Sequence, residues 1–166
     1  MLDKKLIEIP DAFITTLIFE ETGDRVNSLR PIEGRGIMNR VFKVEASERT
    51  LVLRMNLADS PFQRYAGEAW FLEQARQAGV PVPVVCGQGV KDGIAYMVQE
   101  FIDGPSGDDP TINRLAVWHR LGIYAAKINT IPCEGYGDDD ETSPGIYARS
   151  WHETAGRMLE EAFRDH

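Results

Sequence analysis

The stretch that decides the fold runs from Glu33 to Asn56 and reads EGRGIMNRVFKVEASERTLVLRMN. It contains a Gly-x-Gly turn at 34–36, followed by two apolar-rich runs at 39–46 and 50–56 that Ser-Glu-Arg joins. Runs rich in β-branched residues that flank a short polar connection are typical of a β-hairpin. We therefore predict that the glycine turn links two strands, the first of them formed by residues 25–32.

The position of this glycine turn excludes two common phosphate-binding loops. A Walker A loop requires G-x-x-x-x-G-K-[ST], and the chain lacks the Lys-Ser/Thr ending. A Rossmann loop lies between a strand and a helix, whereas this turn lies between two predicted strands. Two interpretations stay open. The glycines form a structural turn at positive φ, or they form the strand–glycine loop–strand hairpin with which protein kinases cover ATP phosphates.

The rest of the chain predicts helices and a second hairpin. One helix is expected at 10–23, with a closing glycine, and one at 60–79, with Ser60 as its N-cap. The runs VVCGQGV and IAYMVQEFI, with KDG between them, predict the second hairpin. After the linker DGPSGDDP the pattern is helical, at 111–131 and from Ser150 onward. The expected fold class is α+β, a five-stranded antiparallel sheet with one inserted helix, followed by further helices.

The composition predicts a globular, reduced, cytoplasmic protein. Apolar residues make up 43% of the 166 residues and charged residues 27%, values that favour a packed core over disorder. The net charge of −8 argues against a nucleic-acid partner, which would call for a basic surface. No apolar run is long enough for a membrane span, and the two cysteines form no C-x-x-C zinc motif.

Arg54 and Glu68 are the charged residues whose positions indicate chemistry. Arg54 lies in mid-strand within LVLRM, where a cation needs an anion to offset its desolvation. Protein kinases place a lysine on this strand to hold the α- and β-phosphates, and they pair it with a glutamate of the following helix, which is where Glu68 lies. Each residue alone fits a solvated charge. In this order, after a glycine loop, the two residues favour phosphate binding.

The segment AYMVQEFIDG, residues 95–104, predicts an apolar strand that runs into a glycine-containing linker. Alone it fits an ordinary linker as well as the hinge of a two-lobe kinase. With the motifs above, however, the ordered set resembles aminoglycoside phosphotransferases and choline kinase-like enzymes. The resemblance covers about residues 10–137 and includes Gly-x-Gly-x-x-Asn before RVFKV, then AGVPVPVV and LGIYAAKINTIPCEGYG.

The resemblance implies a kinase-like, nucleotide-binding lobe at 1–103 and the start of a helical lobe at 104–166. It implies ATP, or GTP, as the nucleotide, with adenine at the hinge backbone, and Mg²⁺ in a complete enzyme. That enzyme would transfer the γ-phosphate to the hydroxyl of a small molecule. The implied nucleotide-binding residues are Gly34, Arg35, Gly36, Asn39, Val41, Arg54, Glu68, Gln99, Glu100, Phe101 and Ile102.

Three departures from the family pattern limit what this chain is expected to do. Arg54 stands where many members have Lys, and Asn129 stands where the helix usually carries His. The catalytic motif H-x-D-x-x-x-x-N is absent, since none of His119, His152 and His166 begins it. We therefore predict a truncated phosphotransferase that is inactive alone, and we assign it no catalytic residue and no metal ligand.

The alternative prediction is a non-catalytic, kinase-like module that serves binding or dimerisation. Trp118, Leu121 and Ile128 share one apolar face of the helix predicted at 111–131, and such a face needs a cover. A homo-oligomer through the C-terminal helices is the expected assembly. A third option is an unrelated α+β protein whose glycine turn is only structural.

Overall fold

The computed structural model describes residues 9–32, 40–56, 61–105, 107 and 109–132, without the side chains of 61–64. The predicted glycine loop, with Gly34, Arg35, Gly36 and Asn39, lies outside the described residues, as does the helix predicted from Ser150.

The helices and strands follow one another as the sequence predicts. The described residues contain α1 (Asp11–Thr22), β1 (Val26–Pro31), β2 (Arg40–Ala46), β3 (Thr50–Asn56), α2 (Pro61–Gln77), β4 (Val85–Lys91), β5 (Ile94–Glu100) and α3 (Arg114–Ile128). All strands belong to one antiparallel sheet in the order β1-β2-β3-β5-β4. The α+β class and the five-stranded sheet with an inserted helix are thereby confirmed.

The described residues divide into two units. One contains those of Met1–Leu57 and Val85–Phe101, and the other contains those of Ala58–Val84 and Ile102–His166. The first unit holds α1 and the whole sheet, and the second holds α2 and α3. The lobe boundary between residues 103 and 104 stays a prediction.

The sheet has one face that forms the core of the first unit. Leu51, Leu53 and Met55 alternate along β3 and are almost completely buried, as the period of two requires for a strand with one packed face. They cluster with the fully buried Ile14 and Leu17 of α1. The residues between them, including Arg54, therefore point to the opposite face.

Residues with positive φ end α1 and form the turn between β4 and β5 in the first unit. Gly23 ends α1 in the left-handed region, with φ of 75°, and its N–H donates to the carbonyl of Phe19 at 2.9 Å. Asp92 and Gly93, at φ of 52° and 76°, join β4 to β5. Two successive residues at positive φ are the signature of the type I′ turn, which matches the twist of a two-residue hairpin.

In the second unit, α3 starts three residues later than predicted because Asn113 caps it. The Asn113 side chain accepts a hydrogen bond from the N–H of Ala116 at 3.2 Å, which satisfies one of the free donors of the first turn. The Lys127 ammonium, near the other end of α3, donates to the Gly79 carbonyl at 2.7 Å. That bond ties α3 to the turn after α2.

The described residues include no helix that is both long and apolar enough to cross a membrane.

Candidate nucleotide site

A row of three residues across the sheet brings the predicted cation next to apolar side chains. Arg54 on β3 is paired with Val41 on β2 and with Met97 on β5. Directly paired residues of antiparallel strands project to the same face. Val41 and Arg54, both predicted to bind nucleotide, therefore share the face opposite the α1 core. Met97 is fully buried and Arg54 is half-buried.

A second row, two residues closer to the predicted hinge, contains Gln99. This residue pairs with Val52 of β3 and with Val85 of β4. A rise of about 3.4 Å per residue puts this row about 7 Å from the row of Arg54. The same face thus carries a guanidinium, an amide and several apolar side chains, which is the mixture that small-molecule sites use.

The side chain of Glu100, in the predicted hinge, does not lie on the face of Arg54. Glu100 pairs with Leu51, so its side chain projects to the face opposite Arg54. On that face, the pKa of the Arg49 guanidinium is raised, mainly by its hydrogen bond to Asp24 and to a smaller extent by the Glu100 charge. The Phe101 N–H donates to the carbonyl of Thr50 at 3.0 Å, so β3 already uses this backbone donor.

Ile102, the last residue of the predicted set, follows the sheet directly. Its side chain is 63% exposed. If Ile102 binds a base, it does so through its backbone, or through a side chain that the ligand itself covers.

Lys43 and Glu45, two charged residues on the Arg54 face of the sheet, have partners close to them. The Lys43 ammonium lies 4.2 Å from the centre of the Phe101 ring, a cation–π distance. The Glu45 carboxylate accepts from the Ser28 hydroxyl at 2.7 Å and lies 3.7 Å from the Arg30 guanidinium. The Ser28 hydrogen bond, followed by the Arg30 charge, lowers the pKa of Glu45.

Two amide oxygens on this face are buried without a hydrogen-bond partner. They are Oε1 of Gln99 and Oε1 of Gln88. Gln88 pairs with Met97 and so extends the row of Arg54. Most buried polar side-chain atoms in proteins have a partner, so each exception calls for an explanation.

Glu68, the predicted partner of Arg54, lies on α2 in the second unit. It lines a cavity of about 490 Å³ whose other walls include Phe71, Val82 and Ile128. Its pairing with Arg54 stays a prediction, since the two residues belong to different units. Among the residues that the structure describes, no three Asp, Glu, His or Cys side chains come together where they could hold a metal ion.

Three further residues, Val52, Met97 and Gln88, share the face with Arg54 and were not predicted from the sequence. Period-two alternation from Arg54 would have found Val52, since the two residues are two apart on one strand. Met97 and Gln88 carry no such signal, because only the pairing of β5 with β3 and β4 places them there.

Comparison with known proteins identifies the family. The model of the phosphotransferase enzyme family matches residues 28–165. The chain belongs to this family. By sequence, no curated protein matches it.

Solved structures agree on the fold. Aminoglycoside phosphotransferase APH(4)-Ia aligns with a TM-score of 0.70 and 18% identity, over 92% of this chain and 51% of that one. A thermostable mutant of the same enzyme, in a ternary complex with AMP-PNP and hygromycin B, aligns with a TM-score of 0.68 and 18% identity, over 90% and 50%. A putative fructosamine-3-kinase from Haemophilus somnus 129PT aligns with a TM-score of 0.60 and 17% identity, over 85% and 48%. This chain thus spans about half the length of the phosphotransferase structures it matches.

Proposed function

We propose that this chain provides the nucleotide-binding part of a small-molecule phosphotransferase. The nucleotide is ATP or GTP, with its base beside Gln99 and the hinge backbone and its phosphates beside Arg54 and the glycine loop at 34–39. In a complete enzyme, the γ-phosphate passes to a hydroxyl of a small molecule in the cytoplasm. Membership of the phosphotransferase family supports this reaction class.

The observation that carries the proposal is the row of Val41, Arg54 and Met97. A guanidinium that lies next to a fully buried methionine is partly desolvated, and an anion offsets that cost. A phosphate suits this position, because the planar fork of Arg can donate two parallel hydrogen bonds to its oxygens. Val41 and Val52, on the same face as Arg54, provide an apolar surface on which a base can lie. Inorganic phosphate has no base and would not use this surface.

The chain's own residues bind and orient the nucleotide, and we propose no turnover without further groups. Phosphoryl transfer depends on positioning together with charge neutralisation by metal ions and a catalytic base. The 166 residues contain no H-x-D-x-x-x-x-N motif, and no three Asp, Glu, His or Cys side chains come together among the described residues where they could hold a metal ion. In a complete enzyme, Mg²⁺ would supply positive charge that neutralises the phosphates.

Thermal unfolding in the presence of Mg-ATP tests this function. A dissociation constant of about 0.1 mM, probed at about 10 mM nucleotide, corresponds to about 2.7 kcal/mol of stabilisation. For a chain of this size, that stabilisation raises Tm by about 5–10 °C. Arg54→Leu should remove most of the increase, since loss of one partner of a buried charge pair costs about 2 kcal/mol or more. Arg54→Lys, which keeps the charge but not the fork, should retain part of it.

Adenosine and a matched arginine variant separate a phosphate contact from a general loss of stability. If Arg54 binds phosphate, the Tm increase with adenosine is the same for wild type and Arg54→Leu. Arg120→Leu, an exposed position on α3, should leave all ligand shifts unchanged. An absent Tm shift at 10 mM Mg-ATP, or equal ATP shifts in wild type and Arg54→Leu, would contradict the proposed function.

A second candidate, a dimerisation module, rests on the apolar stripe of α3. Leu115 is 81% exposed and Trp118 70%, and Leu121 and Ile128 are each about half exposed. Monomeric proteins rarely leave such a contiguous apolar face in water. The occupant we propose is the same stripe of a second copy, since a self-complementary face makes a two-fold dimer.

Sedimentation velocity over a hundredfold concentration range tests the dimer. We expect a mass that rises toward twice the chain's with concentration, and a monomer for Trp118→Glu. A wild-type monomer throughout the range would refute the dimer and leave the nucleotide proposal untouched.

A further inference from the structure

We propose that α3 pairs in antiparallel orientation with the α3 of a second copy, so that Trp118 of each helix lies against Gly122 of the other. This inference rests on the second candidate function, dimerisation, and assigns the surface and the orientation of the contact. The observation behind it is the distribution of large and small side chains along the exposed face of α3.

The helical period separates an inner side of α3 from an outer side. Val117 and Tyr124 are half-buried and seven residues apart, so both lie on the inner side. Trp118 and Gly122 are exposed and four residues apart, so they lie one above the other on the outer side. The contact with a second copy therefore has to use the outer side.

Large side chains occupy the first half of this outer side and small ones the second half. Leu115 and Trp118 are the most exposed large apolar residues in the described part of the chain. Gly122, Ala125 and Ala126 follow them and are also exposed. No atom lies within 4 Å of the place that a Cβ would take at Gly122, so a side chain from another molecule has room there.

This gradient makes the outer side complementary to itself in one orientation. Facing helices pack best when a large residue of one lies against a small residue of the other. A two-fold axis near residue 120, midway between Trp118 and Gly122, sets these two residues against each other twice and brings Leu115 of each copy to Ala126 of the other. A parallel pair would instead place tryptophan beside tryptophan and leave a gap at the glycines.

The charges of α3 favour the same orientation. Between Arg114 and Ile128 the helix contains no acidic residue. Arg114 lies four residues before Trp118 and so on the outer side. In a parallel pair the two Arg114 side chains would be neighbours and repel each other, whereas in an antiparallel pair each lies near the last turn of the other helix, whose free carbonyls attract a cation.

Sedimentation velocity of Gly122→Leu separates this contact from unspecific association of apolar faces. Leucine adds apolar surface and is a better helix former than glycine, so unspecific association would become stronger. In the proposed pair, leucine overpacks two Trp118–Gly122 contacts, so we expect the dissociation constant of the dimer to rise by about a hundredfold. Arg120→Leu adds the same side chain on the opposite side of α3 and is the matched control, with an unchanged dissociation constant.

An exchange of the two residues tests the orientation and does not depend on the leucine variant. Trp118→Ala and Gly122→Trp should each weaken the dimer, because the first removes the large partner and the second overpacks the contact. The double variant again sets tryptophan against a small residue twice, so it should restore the dimer. Circular dichroism checks that each variant keeps its helices.

Two results would overturn the inference: a Gly122→Leu chain that dimerises as tightly as wild type or more tightly, or a double variant that dimerises no better than the single variants. A wild-type chain that stays a monomer would instead refute the dimerisation function itself and leave the outer side of α3 to another partner. The two failures are therefore distinguishable.

Discussion

Gly89→Ala should destabilise the sheet, because the hydroxyl of a buried tyrosine occupies the space that a methyl group needs. Gly89 on β4 pairs with Tyr96 on β5. A Cβ atom at residue 89 would lie 2.7 Å from Tyr96 Oη and 3.0 Å from its Cζ. Tyr96 is only 7% exposed, and its hydroxyl donates to Glu21 Oε1 at 2.6 Å. The ring cannot move away without lengthening that bond.

The size of the effect follows from three contributions. Overpacking of this kind costs about 1–3 kcal/mol, and a weakened hydrogen bond to a carboxylate costs part of its about 1.5–3 kcal/mol. Replacing a strand glycine recovers about 0.5–1 kcal/mol of backbone entropy. We therefore expect Gly89→Ala to lower the free energy of unfolding by about 2 kcal/mol, equivalent to a Tm decrease of about 4–8 °C.

A double-mutant cycle measured by urea unfolding tests this cause directly. Tyr96→Phe alone should cost about 1.5 kcal/mol, the lower end for a hydrogen bond to a charged group. Because Phe removes the atom at 2.7 Å, the double variant should be about 1 kcal/mol more stable than the two single losses predict when added. Gly122→Ala on α3, where no atom lies within 4 Å, is the control and should stabilise. Additive losses, within about 0.3 kcal/mol, would refute the proposed clash.

Two further predictions concern charged residues. The hydrogen bond from Arg76 and, to a smaller extent, the one from Gln77 lower the pKa of Glu73 from 4.5 to about 2, so their stabilisation is complete above pH 4.5 and is lost as the pH falls through about 2. In Arg76→Leu, NMR titration should give a Glu73 midpoint above about 2 but still below 4.5, because the Gln77 hydrogen bond to Glu73 at 2.7 Å remains, and a midpoint that stays near 2 would exclude Arg76 as the main cause. Asp24 is buried and accepts from Arg49 Nε at 2.8 Å, so Asp24→Asn should cost about 1–3 kcal/mol in urea unfolding. Asp92→Asn, in the exposed hairpin turn, should cost almost nothing; equal losses would show that the buried ion pair is not the cause.

Much of the fold could be predicted from the sequence because its signals are local. The bounds of β3, the glycine that ends α1 and the Asp-Gly turn between β4 and β5 each depend on a few neighbouring residues. The late start of α3 has the same origin, since Asn113 was available as a cap and was overlooked. The prediction that Arg54 binds phosphate also came from a local pattern, because Arg54 is a cation within an apolar strand.

The composition of the site depended on the tertiary structure. Gln99 and Glu100 are adjacent and both polar, yet Gln99 shares the face of Arg54 and Glu100 projects to the opposite face. A shift of one residue in the pairing of β5 with β3 would exchange them, and no local pattern specifies that register. The sequence by itself was enough to locate the strands, the turns between them and the cation Arg54. Only the long-range pairing of strands decided which side chains join that cation on one face, because the contacts that set the register come from segments far apart in the chain.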